Sequence, residues 1–162
     1  MTTPLNDPTE QLTPFAHQAS NRCFGCGPCN SQGLRIRSHA QGDEVIAEWL
    51  PAPLHEAFPG VVNGGVIGAL FDCHCTWAAA WHLMQRDGLG EPPCIVTANF
   101  EVQLSWPTSS ERPLHFRARA VESFEDHVIV EATVESDGRT TASCRGTFVA
   151  IREGHPAYHR LG

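Results

Sequence analysis

One carboxylate stands alone in the most apolar stretch of the chain. In residues 66–86, which read VIGALFDCHCTWAAAWHLMQR, Asp72 is the only formally charged residue before Arg86. A carboxylate in such surroundings is costly unless it is paired, hydrogen-bonded or used in chemistry. Acids of this kind cluster at functional sites, although a structural Asp bonded to a loop amide or an arginine gives the same pattern. Asp72 is therefore the first candidate for a general base or a nucleophile.

Small and polar residues flank Asp72 at helical spacing. If this stretch is a helix, Gly68, Asp72 and Thr76 share one face, and Gly68 leaves room beside the acid. The helix would begin at the NGG segment of residues 63–65, where unpaired N–H groups and the positive end of the helix dipole point outward. Glycines there let a ligand approach the backbone. An acid, a hydroxyl and an anion-binding amide cluster suit acyl transfer.

A second group of reactive side chains lies in NRCFGCGPCN (21–30), where Cys23, Cys26 and Cys29 are spaced by two residues. A metal knuckle has this spacing, and so does a tight Gly-Pro turn with buried thiols. A structural zinc site needs a fourth ligand, typically from a second knuckle or a His pair. His39 has no informative spacing. The other cysteines fall on the predicted helix or on inward strand faces and are typical of core residues: Cys73, Cys75, Cys94 and Cys144. We therefore expect a turn, no metal and no cofactor.

The composition excludes several classes of function. The 162 residues carry a formal net charge of −7, which disfavours nucleic acid as a partner because the phosphate backbone rewards basic patches. All 11 basic residues are arginine, which excludes lysine Schiff-base chemistry and a lysine-bearing phosphate loop. No apolar run approaches the ~18 residues of a membrane span, and the N-terminus lacks the pattern of a signal peptide. We expect a cytoplasmic location with reduced cysteines.

Two periodicities organise the chain. Residues 1–21 are polar and contain several prolines, and we interpret them as an N-terminal arm before a single domain at 22–162. The proline-free segment from about 64 to 86, ended by Asp87-Gly88, is predicted to be a helix. Alternation of apolar and polar residues predicts strands in two short stretches of 33–51 around Gly42 and in 94–104, 114–124, 127–136 and 139–151.

These elements define a fold class. The strand at 94–104 alternates clearly, with Val96, Ala98 and Phe100 on the inward face and Thr97 and Asn99 on the outward face. The pair at residues 137–138, Asp-Gly, predicts a tight hairpin. A helix that is apolar nearly all round must be buried. We therefore predict an α+β fold in which an antiparallel sheet of five to six strands wraps around one long central helix, with the last four strands forming a meander.

The loop-to-helix segment PGVVNGGVIGALFD resembles the GxxHGG…D/E motif of hotdog-fold acyl-CoA thioesterases of the PaaI-like family, whose acid follows the His by nine residues. In this chain Asn63 stands at the His position and Asp72 lies nine residues further on. The segment CFGCGPCNSQGLR is similar to a CFGCG…NPxGL segment that precedes the first strand in many members. The resemblance covers roughly residues 22–151 and implies a hotdog fold.

The resemblance also implies roles for single residues. Asp72 maps to the catalytic acid, Gly64 to the oxyanion amide and Thr76 to a Thr or Ser that some members carry, and Asn63 completes the predicted catalytic set. Among the substrate contacts we place the neighbouring glycines and histidines: Gly65, Gly68, His55 and His74.

Two of these histidines need a further argument. Several members have an Asn or Gln fifteen residues before the acid, where this chain has Ala57, so His55 or Glu56 is expected to substitute if anything does. His74 lies on a helix face different from that of Asp72. We therefore favour a polar dimer contact for His74 over a catalytic base.

The reaction implied by the resemblance is hydrolysis of a small aryl or short- to medium-chain acyl-CoA to the free acid and CoA. Asp72 acts either as general base on water or as nucleophile through an anhydride. Family members are homodimers, often paired into homotetramers, with the long helix against its partner. Asp72 and Gly64 are then expected from different subunits. Arg35 and Arg37 either reach CoA phosphates or form a solvated face, and no nucleic acid or membrane is expected as a partner.

Two rival functions remain from the sequence. A hotdog hydratase or dehydratase usually pairs a His with the acid, and here Asn63 replaces that His. A non-catalytic acyl-CoA-binding module would lose the acid and carry a DNA-binding segment, but Asp72 is present and the arm is too short for a helix-turn-helix. The pattern therefore favours the thioesterase.

Overall fold

The computed structural model describes residues 21–158, in which one long helix packs against an antiparallel sheet. Nearly all of the predicted N-terminal arm therefore lies outside the described residues. The helix α1 spans Gly64–Asp87, and a short 3-10 turn spans Pro53–His55. In chain order, the strands are β1 (His39–Gln41), β2 (Glu44–Trp49), β3 (Glu56–Phe58), β4 (Val61–Val62), β5 (Ile95–Leu104), β6 (Leu114–Ser123), β7 (His127–Ser136) and β8 (Arg139–Ala150).

The helix begins and ends where its terminal residues dictate. Asn63 is the N-cap, and its Oδ1 accepts hydrogen bonds from the N–H groups of Gly65 at 2.8 Å and Val66 at 3.3 Å. These bonds satisfy two of the donors that a helix start leaves without an intrahelical partner. At the other end, Gly88 adopts the left-handed conformation with φ +64° that commonly closes helices. The predicted helix is confirmed and is one residue longer than expected.

The sheet has six strands in the order β1-β2-β6-β7-β8-β5, all antiparallel. The predicted hairpin between β7 and β8 is confirmed: Asp137 and Gly138 have φ of +54° and +77°, as a two-residue turn with both central residues at positive φ requires. The predicted four-strand meander is wrong in one respect. Only β6, β7 and β8 follow each other, because β6 pairs with β2 and so leaves β5 to pair with β8 at the opposite edge.

The core lies between the sheet and α1, which contacts β2, β5, β6, β7 and β8. Phe71 of the helix meets Phe116 of β6 edge to face, with ring centroids 5.4 Å apart, and both rings are buried. The predicted α+β architecture, a six-stranded antiparallel sheet around one long helix, is therefore confirmed. Within residues 21–158, no helix is long and apolar enough to cross a membrane.

Candidate active site

Asp72 lies in the wall of a largely apolar cavity of about 270 Å³ between α1, β5 and the cysteine-rich turn. The helix contributes Asp72 together with Thr76 and Trp77, which follow it on the same side. Strand β5 closes the opposite wall. The described residues that line the cavity are Asn21, Cys23, Cys26, Asp72, Cys73, Thr76, Trp77, Ala80, Pro93, Ile95, Val96 and Thr97. The lone helix carboxylate therefore borders space in which a small apolar group fits.

One side chain holds the carboxylate in place. The Oγ1 hydroxyl of Thr97 donates a hydrogen bond of 2.6 Å to Oδ1 of Asp72. Burial raises the pKa of Asp72, the bond from Thr97 opposes that rise, and the neighbouring Cys23 adds to it. Among residues 21–158 Thr97 is the donor to this carboxylate. Oδ2 is therefore available to a water molecule or a substrate in the cavity.

Thr97 reaches Asp72 because β5 contains a bulge. The pairing with β8 shifts between Thr97 and Asn99, so one extra residue is inserted into β5. The bulge reverses the alternation of β5 for the residues that precede it. The prediction that Thr97 faces outward is therefore wrong. Beyond the bulge the predicted inward face holds, and the ring of Phe100 reaches the helix at Gly68. The alternation of apolar and polar residues in the sequence does not reveal the bulge. Sequence reasoning therefore missed Thr97 as a site residue.

Thr76 contacts the backbone of Asp72 and not its carboxylate. Its Oγ1 donates a bond of 2.8 Å to the main-chain carbonyl one turn earlier, and its side chain still lines the cavity. The predicted shared face of Asp72 and Thr76 is therefore present in the structure. Gly68, on the same face, has the ring of Phe100 as its nearest neighbour, 3.9 Å from where a Cβ would stand. This is an ordinary van der Waals distance, and Gly68 is not among the residues that line the Asp72 cavity. Its place among the substrate contacts stays a prediction.

The helix start forms a separate site. Gly64 lines a second cavity of about 380 Å³ with Ala57, Leu104 and Trp106, and Asp72 is not among the residues that line it. Eight residues separate the two along the helix, or about 12 Å of rise. Among residues 21–158 no acceptor takes the N–H of Gly64, whereas the N–H of Gly65 is bonded to Asn63. One chain therefore does not bring the predicted oxyanion amide to the predicted acid.

The residues upstream of the helix support the loop around them. Nδ1 of His55 accepts the N–H of Ala52 at 2.9 Å, and burial lowers the pKa of this histidine. Glu56 accepts bonds from the hydroxyl of Ser110 at 2.6 Å and the N–H of Gly60 at 3.2 Å, and these bonds lower its pKa. Neither side chain lines the Asp72 cavity, so the structure does not bring His55 to the acid.

His74 belongs to the core. Its ring is fully buried, with Nδ1 at 2.8 Å from the hydroxyl of Ser38 and Nε2 at 2.9 Å from the carbonyl of Val45. Burial lowers its pKa to about 4, against the raising effect of the Val45 carbonyl. The predictions of a substrate contact and of a polar dimer contact are both wrong, because α1 turns this residue toward β2 and toward Ser38, which precedes β1.

The cysteine-rich turn brings together a set of thiols different from the one its spacing suggests. The Sγ atoms of Cys23, Cys26 and Cys73 all lie within 4.8 Å of one another, whereas Cys29 is outside the group. Cys73, which was expected to be a core cysteine, packs against the core, and its Sγ is also 3.5 Å from that of Cys23. Hydrogen bonds from Cys26 and Cys73 lower the pKa of Cys23, and donating to Cys23 raises the pKa of the other two thiols. These three side chains are the described residues able to hold a metal ion.

The side chain of Arg35 is hydrogen-bonded to the backbone of the cysteine-rich segment. Its Nε donates a bond of 2.9 Å to the carbonyl of Asn30, and its φ of +56° reflects the tight course of the chain there. Arg37 is exposed and lines neither the Asp72 cavity nor the cavity at Gly64. A contact between these arginines and CoA phosphates stays a prediction.

Comparison with known proteins shows that solved structures share this fold. No protein-family model and no curated protein matches the chain. Among solved structures, one thioesterase superfamily protein aligns with a TM-score of 0.68 at 22% identity, over 80% of this chain, which spans only 60% of that longer protein. A thioesterase superfamily protein from Shewanella loihica PV-4 gives 0.61 at 29% identity, over 76% of this chain and 97% of that one.

PaaI from the phenylacetic acid degradation operon of E. coli is a third match, with a TM-score of 0.63 at 13% identity, over 74% of this chain and 81% of that one. At such identities the fold is what the likeness shows. The resemblance predicted from the sequence is confirmed at that level.

Proposed function

We propose that this chain, which has the hotdog fold and resembles the PaaI-like thioesterases, hydrolyses acyl-CoA thioesters to a free acid and CoA. The observation that carries the proposal is the Asp72 carboxylate, partly buried in the wall of an apolar cavity and fixed through one oxygen by Thr97. A carboxylate that borders a cavity and is fixed through one of its two oxygens is suited to act as a general base or a nucleophile.

The chemistry needs few other groups. Asp72 either removes a proton from water as the water attacks the thioester carbonyl, or attacks that carbonyl itself to form an anhydride that water then opens. In both routes a tetrahedral oxyanion forms and collapses to expel the CoA thiolate. A thiolate leaves readily, so a general acid is not required.

The oxyanion needs a preorganised hydrogen-bond donor, and the amide at Gly64 lines a different cavity from Asp72. The N–H of Gly64 is suited to this task, because it lies at a helix start without an acceptor among residues 21–158. It is about 12 Å from Asp72 along the helix. We infer that the active site forms between two chains, with Asp72 from one and Gly64 from the other.

The edge of the sheet supports a dimer. Strand β5 is an edge strand, and apolar side chains on it and just after it are exposed: Phe100 at 39%, Leu104 at 55% and Trp106 at 56%. An edge strand with exposed apolar groups is a natural surface for a second chain. Sedimentation is expected to give a mass of at least two 17.7 kDa chains, and an active monomer would contradict the two-chain site.

The cavity favours a small acyl group. Its walls beyond Asp72 are apolar, with Trp77, Ala80 and Ile95 among them, and its volume of about 270 Å³ is just below the range of about 300 Å³ and above that small-molecule pockets occupy. We propose a small aryl or short- to medium-chain acyl group as the substrate.

The test is thiol release from a panel of acyl-CoA substrates that runs from acetyl through medium-chain to benzoyl and phenylacetyl groups. Asp72→Asn keeps the shape but removes the base or nucleophile, so kcat is expected to fall by about 10²-fold or more with little change in KM. The matched control is Asp43→Asn, which makes the same chemical change at an exposed turn and is expected to keep full turnover.

Two results would favour the rival functions. Binding of acyl-CoA without thiol release by the unmodified protein would indicate a binding module. Hydration of an enoyl-CoA would indicate a hydratase, which the structure disfavours because none of the described residues that line the Asp72 cavity is a histidine.

A further inference from the structure

The thiols of Cys23, Cys26 and Cys73 border the Asp72 cavity and take no part in the proposed hydrolysis. Their Sγ atoms lie within 4.8 Å of one another, and those of Cys23 and Cys73 are 3.5 Å apart. In a tetrahedral zinc site the Zn–S distance of about 2.3 Å separates two sulfurs by about 3.8 Å. We propose that these three cysteines bind a Zn²⁺ ion whose fourth position opens into the Asp72 cavity.

Backbone hydrogen bonds hold Cys23 and Cys26 together on one tight turn. The N–H of Gly27 donates to the carbonyl of Cys23 at 2.8 Å, which closes the turn, and Oδ1 of Asn21 accepts the N–H of Cys23 at 2.9 Å. The two thiols therefore have the CxxC spacing and the closed turn that are typical of a metal knuckle.

The helix supplies the third sulfur through a close contact that only glycine permits. A Cβ on Gly25 would stand 2.3 Å from Sγ of Cys73, so the turn can sit on the helix at this distance only without a side chain. One turn further along α1, Trp77 lines the same cavity as the three thiols.

The set of ligands indicates zinc with three protein ligands. Three clustered thiolates suit a soft or borderline cation that accepts tetrahedral geometry. All three cysteines line the cavity that contains Asp72, so a solvent molecule at the fourth position would lie in the space proposed for the acyl group. The expectation of no metal rested on the missing fourth ligand for Cys23, Cys26 and Cys29. The structure places Cys73 beside Cys23 and Cys26 and leaves Cys29 outside the group, so the proposed site has three protein ligands and an open fourth position.

The test is metal content after reconstitution. Reduced, metal-free protein is incubated with Zn²⁺ or with Co²⁺, passed through a desalting column and analysed for metal. About one ion per chain is expected for the unmodified protein, with the charge-transfer absorption of thiolate-bound Co²⁺. Cys26→Ser and Cys73→Ser are expected to lose at least about nine-tenths of the metal at the same free concentration. Cys29→Ser, at the same two-residue spacing but outside the cluster, is the matched control and is expected to retain it.

Further variants keep the test decisive if a serine variant does not fold. Gly25→Ala preserves every thiol but displaces Cys73 from the turn, and it is expected to weaken Co²⁺ binding by at least about tenfold. Asp72→Asn is expected to lose hydrolysis and retain the metal, so failure of one proposal is distinguishable from failure of the other. No retained metal in the unmodified protein, equal loss in Cys29→Ser, or a disulfide between two of the three cysteines in its place would overturn the assignment.

Discussion

The start of α1 presents a hydrogen-bond donor to the cavity beside it, whereas the middle of α1 presents an acceptor. At the start, Asn63 caps two N–H groups, and the amide of Gly64 is a main-chain donor without a partner among residues 21–158. In the middle, Asp72 is an acceptor in an apolar cavity, oriented by a hydroxyl from β5. The helix start can bind an anion through its N–H group and the positive end of the helix dipole. The middle of the helix provides a base, and burial raises the pKa of that base.

From this contrast we infer that a single chain holds two halves of the proposed active site. The donor and the base lie in separate cavities and about 12 Å apart along one rigid element. A thioester carbonyl needs both within hydrogen-bond distance of its reacting atoms. We therefore expect each half-site to be completed by the other half-site of a second chain, and substitutions in the two regions should have separable effects.

Among substitutions that leave Asp72 in place, removing the donor at the helix start should have the largest effect. Gly64→Pro deletes the N–H at the first helical position, where proline is well tolerated, and Asn63 already has the extended conformation that precedes a proline. A fall in kcat of about 10²-fold is expected from the loss of one oxyanion donor, measured by thiol release.

Gly64→Ala is the matched control for this loss. It places a Cβ at the same point, 2.7 Å from Cδ1 of Leu104, but keeps the N–H. If alanine and proline reduce kcat equally, the crowding of Leu104 explains the effect and the amide has no role in catalysis.

Removing the hydroxyl that orients the base should have an intermediate effect. Thr97→Val keeps the shape of the side chain and deletes its 2.6 Å bond to Asp72, so kcat should fall by about tenfold, with KM nearly unchanged. Thr76→Val deletes a hydroxyl in the same cavity that is bonded to the Asp72 carbonyl, and should change kcat by less than about twofold. A larger loss from Thr76→Val than from Thr97→Val would reverse the assignment of the two hydroxyls.

The smallest effect on turnover is expected at Asn63, whose side chain caps the helix. Asn63→Ala should lower the free energy of unfolding by about 1 kcal/mol, and Asn63→Ser, which is an equally good cap, should restore it. Chemical denaturation measures the stability, and thiol release at a temperature well below the transition measures kcat. A strong loss of kcat in the stably folded Asn63→Ser variant would mean that the amide side chain itself takes part in catalysis.

Much of the fold could be predicted from local patterns. The helix bounds follow from residues that act within one turn, namely the cap at Asn63 and the left-handed Gly88. The hairpin at 137–138 and the strands β6 to β8 follow from alternation and turn chemistry. The position of β5 beside β8 depends on long-range pairing, and no local pattern encodes it.

The site was predictable only where local sequence patterns determine it. Asp72 was recognisable because a lone charge in an apolar helix is unusual. Thr97 required knowledge of a bulge, since the alternation of β5 assigns it to the wrong face. Cys73 required knowledge that the turn packs on the helix at Gly25. His74 lies two residues after the acid in sequence, yet the helix turns it into the core.

The most direct test of the two-chain site uses mixed dimers. Asp72→Asn and Gly64→Pro chains with different affinity tags are co-expressed, and dimers that carry both tags are isolated. Each mixed dimer then contains one site with neither substitution, so we expect about half of the unmodified turnover per dimer although each parent is nearly inactive. A mixed dimer of Asp72→Asn with the doubly substituted chain has no intact site and serves as the control. Tagged mixed dimers as inactive as their parents would contradict the account.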